Sequence, residues 1–82
     1  IWKCIEDEAL ATETDALVNK FAVAPTRGLA ETKKLIRTAF MRPLDEQLDL
    51  ERDKMRELGR SDDYREGVDA FMNKRKPAFK GR

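Results

Sequence analysis

The side chains in this sequence that could perform acid–base chemistry are carboxylates. Asp62 and Asp63 are adjacent, and Asp45, Asp49 and Asp53 recur at every fourth position. Two carboxylates in one site can act as general acid and general base. These carboxylates are interspersed with basic residues at helical spacings, which indicates solvated surface ion pairs and predicts no catalytic residue. The expected pairs are Asp49 with Arg52, Asp53 with Arg56, and Arg65 with Asp69.

The sequence lacks the residues that several other kinds of chemistry require. The sequence has no histidine and one cysteine, Cys4, which excludes a histidine-based triad, an internal disulfide and the common zinc sites. Net charge is +1, from 17 basic and 16 acidic residues, which disfavours a dedicated nucleic-acid binder. No apolar run approaches the roughly 20 residues that span a bilayer. We therefore expect no bound metal, nucleic-acid partner or membrane partner.

The last nine residues depart from this charge balance. Their basic residues are Lys74, Arg75, Lys76, Lys80 and Arg82. Such a tail can be a solvated helix end that complements the helix dipole. It can also be a site for an anion, and composition leaves both interpretations open.

The elements that position these residues are helices. An 82-residue chain forms one small domain with a thin core. Three prolines with Gly59 and Ser61 divide it into an all-α bundle of about four helices. The predicted helices cover residues 7–23, 26–41, 44–58 and 62–75. Residues 1–5 resemble a strand whose sheet lies elsewhere.

The fourth predicted helix has two distinctive positions. Ser61, followed by two aspartates, is a strong N-cap. Gly67 lies inside the helix, where glycine costs roughly 1 kcal/mol relative to alanine. A glycine at such a position usually marks close packing of another group, which could be a helix or a ligand.

The second and third helices predict an ion pair. Each has an apolar stripe at intervals of four, three and four residues, interrupted by one charge: Lys33 in the second helix and Glu51 in the third. In an antiparallel hairpin these two charges would lie opposite each other. We predict a partly buried Lys33–Glu51 pair that fixes the register, the alternative being that both side chains reach solvent at the interface edge.

Several motifs occur at fixed spacings in the C-terminal part. Residues 61–79 contain a Ser-Asp-Asp turn, a Glu-Gly pair, an Ala-Phe pair, a Lys-Arg pair and a Pro-x-Phe tail. With residues 44–51 and 25–33, they resemble the C-terminal segment of crotonase-superfamily enoyl-CoA hydratases and isomerases. Residues 45–53 and 59–67 are similar to the phenylacetate-degradation branch, which isomerises a ring epoxide of phenylacetyl-CoA.

The resemblance implies a larger enzyme. Residues 1–82 would be its C-terminal helical domain, without the spiral catalytic core that contains the oxyanion hole. The substrate would be an acyl-CoA thioester, with no separate cofactor, in a cytoplasmic trimer or dimer of trimers. Phe71 and Lys74 would contact the adenine and 3′-phosphate of CoA, although Phe71 also fits a simple core stripe. Arg42-Pro43 departs from the family, which more often has a small polar cap there.

Two other classes of function are compatible with a helical chain of this size. One is a standalone interaction module that docks a partner helix on an exposed apolar face. The other is a helix-turn-helix nucleic-acid binder, which the near-neutral charge and the acidic start of the fourth helix disfavour.

Overall fold

The computed structural model describes residues 2–82, which form four α-helices and no strand. The helices are α1 (Leu10–Ala22), α2 (Thr26–Thr38), α3 (Leu44–Leu58) and α4 (Asp62–Met72). Short 3-10 turns, Asp7–Ala9 and Ala39–Met41, precede α1 and follow α2. The all-α prediction is confirmed, and each predicted helix is present. The fourth ends earlier than predicted because Lys74 has a left-handed backbone, with φ of +52°.

The strand-like start of the chain forms no regular structure where it is described. Ile1 lies outside the described residues, and residues 2–6 are neither helix nor strand. Lys3 forms an ion pair with Glu13 of α1, and Trp2 is exposed. A strand without neighbours has no partners for its backbone groups, so this segment lies irregularly beside α1.

Helices α2 and α3 form the antiparallel hairpin that their short connection predicts. Arg27 Nη2 lies 2.7 Å from Glu57 Oε1, and Lys54 Nζ lies 3.4 Å from Glu31 Oε2. Higher numbers in α2 thus meet lower numbers in α3. At the turn, Arg42 pairs with the hydroxyl of Thr38, so the residue that departs from the family ties the turn to α2.

The predicted Lys33–Glu51 pair is not formed among residues 2–82, and that prediction is corrected. Both side chains are exposed, and Glu51 Oε1 instead accepts a hydrogen bond from Gln47 Nε2 at 2.8 Å. The least exposed positions of the two helices are Gly28, Glu31, Leu35 and Thr38 in α2, and Gln47, Leu50, Lys54 and Leu58 in α3. Helices α2 and α3 therefore pack through the faces adjacent to their apolar stripes, and the stripes themselves point outward.

The interior of the described chain is thin, and much apolar surface is exposed. Ala70, at 2% exposure, is the one apolar residue that is fully buried within residues 2–82, whereas Phe40 is 101% exposed. The radius of gyration is 16.1 Å, against about 12 Å for a compact domain of this length. The shape is flat, with extents of 44 × 38 × 18 Å. The helices thus form a layer with exposed apolar faces.

Candidate functional site

The start of α4 is fixed by Ser61. Its Oγ accepts a hydrogen bond from the Tyr64 N–H at 3.1 Å and donates one to the Leu58 carbonyl at 2.6 Å. The predicted N-cap is therefore present, and the same hydroxyl joins the end of α3 to the start of α4. This places the motif residues of α4 in a fixed relation to the α2–α3 hairpin.

Asp63 anchors the C-terminal residues to the start of α4. This carboxylate is only 6% exposed. Its oxygens accept hydrogen bonds from the N–H groups of Lys80, at 2.6 Å, and Gly81, at 2.8 Å. The Asp63 N–H donates in turn to the Arg82 carbonyl at 2.8 Å. The chain after α4 consequently folds back along the helix.

Phe79 supplies the close packing that Gly67 indicates. A Cβ atom at Gly67 would lie 3.5 Å from Phe79 Cε1, which is ordinary van der Waals contact. The group that approaches this helix is therefore an aromatic ring of the chain's own tail. The sequence left a helix or a ligand as the alternatives, and the structure places the Phe79 ring at this position.

A second set of contacts, the tail clasp, joins Glu66 and Asp69 of α4 to Arg75 and Ala78. The Arg75 guanidinium binds both Glu66 oxygens, at 2.6 and 2.9 Å, and also pairs with Asp69. The Ala78 N–H donates to Glu66 Oε1 at 2.7 Å. The hydrogen bonds from Arg75, and then from Ala78, lower the pKa of Glu66 to about 2, so this carboxylate is ionised at neutral pH.

The two residues proposed to contact CoA lie together at the end of α4. The Lys74 N–H donates to the Phe71 carbonyl at 3.2 Å. Phe71 is 82% exposed, so the described chain does not use it as a core residue. Within residues 2–82 the Lys74 ammonium forms no ion pair, whereas its neighbour Arg75 is held by two carboxylates. An exposed aromatic ring thus lies three residues before a cation that has no ion-pair partner in this part of the chain.

An apolar groove of about 440 Å³ adjoins Phe71, between the start of α2 and α4. Its apolar side chains are Pro25, Leu58, Tyr64, Val68, Phe71 and Phe79. The tail residue Phe79, which follows the clasp residue Ala78 in the chain, forms part of this lining. The groove suits packing against a flat apolar group.

The remaining carboxylates mostly lie where the sequence predicts. Arg52 Nη1 is 2.7 Å from Asp49 Oδ1, and Arg56 Nη1 is 3.9 Å from Asp53 Oδ1. The third expected pair, Arg65 with Asp69, is not formed in the described residues: Arg65 lies 3.8 Å from Asp62, and Asp69 pairs with Arg75. In the described part of the chain no His, Cys, Asp and Glu residues cluster as a metal site would require. Nor is any helix there long and apolar enough to cross a bilayer.

Sequence reasoning missed the roles of two carboxylates. It placed Asp63 among solvated surface charges and used Glu66 only as part of the Glu-Gly motif. A usable signal was present: the two carboxylates are three residues apart, and Gly67 follows them. The Pro-x-Phe tail then supplies an aromatic ring for the glycine and backbone N–H groups for the carboxylates.

Comparison with known proteins agrees with these motifs. The sequence model of the family described as enoyl-CoA hydratase/isomerase matches residues 1–82. Over all 82 residues the chain is 50% identical to 1,2-epoxyphenylacetyl-CoA isomerase of Escherichia coli (strain K12) and 39% identical to a probable enoyl-CoA hydratase of Rhodobacter capsulatus. A probable enoyl-CoA hydratase of Bacillus subtilis is 38% identical over 93% of the chain.

The chain spans about a third of the length of these curated relatives: 31%, 32% and 30%, in the same order. The family-model match and the 50% identity confirm the family and branch that the C-terminal motifs predict. The chain belongs to the enoyl-CoA hydratase/isomerase family, within the crotonase superfamily.

Proposed function

We propose that this chain works as the C-terminal helical domain of a longer acyl-CoA enzyme, where it covers the active site and makes contacts between subunits. The observation that carries the proposal is the 50% identity to an epoxyphenylacetyl-CoA isomerase along the whole chain. The exposed apolar faces of the flat helical layer support it, since apolar patches of this kind are usually covered by another protein surface.

The substrate of the longer enzyme is an acyl-CoA thioester in phenylacetate or fatty-acid catabolism, and the enzyme acts in the cytoplasm as a trimer or dimer of trimers. The acyl group of the thioester rearranges, or its double bond takes up water, in the remainder of the protein. There, fixed N–H donors stabilise the charge that develops on the thioester oxygen. CoA enters as part of the substrate and needs no separate cofactor.

The contribution of residues 2–82 to substrate binding is made at the end of α4. The exposed face of Phe71 packs on the adenine ring, and the unpaired ammonium of Lys74 binds the 3′-phosphate. A charge-assisted hydrogen bond of this kind contributes roughly 1.5–3 kcal/mol. These contacts hold the nucleotide end of CoA, far from the reacting thioester.

Turnover by the longer protein tests the proposal. The complete protein should isomerise 1,2-epoxyphenylacetyl-CoA or hydrate an enoyl-CoA such as crotonyl-CoA. The 82-residue chain alone should show no turnover above a buffer blank. Turnover by the 82-residue chain, or a complete protein inert toward every CoA thioester offered, would refute the proposal.

The apolar groove beside Phe71 favours a second candidate, a standalone module that binds a partner helix. The product made in the cell separates the two functions. An 82-residue product that binds a helical peptide in this groove would support the module, and a product about three times as long would support the enzyme domain.

A further inference from the structure

The chain reverses direction at Lys74, in a backbone conformation that lysine seldom adopts. Lys74 has φ of +52°, in the left-handed region where glycine is the usual residue. The Arg75 N–H donates to the Ala70 carbonyl at 3.0 Å, which closes the end of α4 over this residue. The conformation therefore needs support from the residues that flank Lys74.

The tail clasp supplies that support by tying the chain that follows Lys74 to α4. Glu66 binds the Arg75 guanidinium through both of its oxygens and accepts the Ala78 N–H as well. The Glu66 carboxylate thus fixes Arg75, the residue after Lys74, and Ala78, three residues further along. The segment from Lys74 to Pro77 becomes a short loop with closed ends.

The clasp also determines the charge around Lys74. Glu66 and Asp69 are the carboxylates of α4 nearest in sequence to Lys74, and Arg75 pairs with both. A bidentate guanidinium matches a carboxylate better than an ammonium does. The Lys74 ammonium accordingly remains without a carboxylate partner among residues 2–82, and its charge is available to an external anion.

We propose that Glu66 is a positioning residue: together with Arg75, it holds Lys74 in the left-handed conformation that presents its ammonium to the 3′-phosphate of CoA. This inference rests on the proposed function, in which Lys74 binds that phosphate. Glu66 itself contacts no substrate, and its effect reaches the ligand only through the position of Lys74.

The test is the affinity of the complete protein for CoA and for 3′-dephospho-CoA, measured by calorimetry. Glu66→Gln retains the size of the side chain but loses the charge that holds Arg75. It should weaken CoA binding about three- to tenfold, part of what a lost charge-assisted contact costs. Binding of 3′-dephospho-CoA should not change. Glu57→Gln, which removes a carboxylate paired with Arg27 and Lys54 instead, is the matched control and should alter neither affinity.

A double mutant distinguishes positioning from a general structural effect. If Glu66 acts through Lys74, Glu66→Gln should have no further effect on the preference for CoA in a Lys74→Ala background. Equal weakening of both ligands by Glu66→Gln, or additive effects in the double mutant, would overturn the inference. Arg75→Lys changes the other partner of the clasp and should reproduce the loss of CoA affinity. It provides the test if Glu66→Gln fails to fold.

Lys74→Ala separates this inference from the proposed function. If that variant keeps the full preference for CoA over 3′-dephospho-CoA, the phosphate-binding role of Lys74 is refuted, and the positioning role of Glu66 with it. If Lys74→Ala loses the preference while Glu66→Gln and Arg75→Lys both keep it, the positioning role alone is refuted.

Discussion

Two glycines lie where the C-terminal residues approach the helices, and they differ in the room available for a side chain. A Cβ at Gly67 would make ordinary contact with Phe79, whereas a Cβ at Gly81 would lie 2.6 Å from Thr26 Oγ1. Gly81 also has φ of +76°. We expect Gly67→Ala to leave the free energy of unfolding unchanged or raise it by up to about 1 kcal/mol. Gly81→Ala should lower it by about 1 kcal/mol or more.

Urea unfolding followed by circular dichroism measures both changes in the 82-residue chain. A bulkier control, Gly67→Leu, should displace Phe79 and destabilise the chain. If Gly67→Ala proved more destabilising than Gly81→Ala, the tail would not pack on α4 as described.

The cap at Ser61 gives a second prediction at the residue scale. Ser61→Ala removes the acceptor of the Tyr64 N–H and the donor to the Leu58 carbonyl. The free energy of unfolding should fall by about 1 kcal/mol. Ser61→Thr keeps both the acceptor for the N–H and the hydroxyl donor, and should retain most of the stability. Equal losses in the two variants would show that the hydroxyl does not act as a cap.

At the scale of elements, the helices were predictable but their facing surfaces were not. Prolines, Gly59 and the Ser61 cap mark helix ends through local geometry, so sequence alone located four helices. Periodicity identifies the most apolar face of a helix, such as that of Leu29 and Ile36 in α2. It does not tell which other surface covers that face. The Lys33–Glu51 prediction failed because it assumed that the two stripes meet each other.

The candidate site was predictable to a similar extent. The motif resemblance singled out Phe71 and Lys74, and in the structure the Phe71 ring is exposed and the Lys74 N–H donates to the Phe71 carbonyl. The roles of Asp63 and Glu66 depend on hydrogen bonds from backbone N–H groups 12 to 18 residues later in the chain. Neither helical periodicity nor charge spacing carries information about such contacts.

The tail clasp should respond to acid in a defined pH window. The pKa of Glu66 falls from an ordinary 4.5 to about 2, first because of the hydrogen bonds from Arg75. A depressed carboxyl pKa contributes stability that is fully present above pH 4.5 and is lost as the pH falls toward 2. The Ala78 amide resonance, followed by NMR, should therefore titrate with a midpoint near 2.

Glu66→Gln is the control for this titration. The variant has no carboxyl group at this position, so the Ala78 resonance should no longer shift in that window. A midpoint near 4.5 in the unaltered chain would contradict the clasp, because it would show that the Glu66 carboxylate gains nothing from Arg75.

At the scale of the whole molecule, the described chain is a thin layer of helices with large apolar side chains on its surface. Its radius of gyration of 16.1 Å exceeds the roughly 12 Å of a compact domain because the helices enclose little core. The relatives are about three times as long. Under the proposed function, these exposed faces contact the rest of a longer enzyme and its neighbouring subunits.

Phe40→Asp tests this account most directly. Phe40 is 101% exposed here, so in the 82-residue chain the substitution should change the free energy of unfolding by less than about 0.5 kcal/mol. In the complete protein, where the account buries this ring, the same substitution should cost about 3 kcal/mol or more and impair assembly. Unfolding of both proteins, with and without the substitution, is the measurement. A small, equal effect in the two would contradict the claim that another protein surface covers this face.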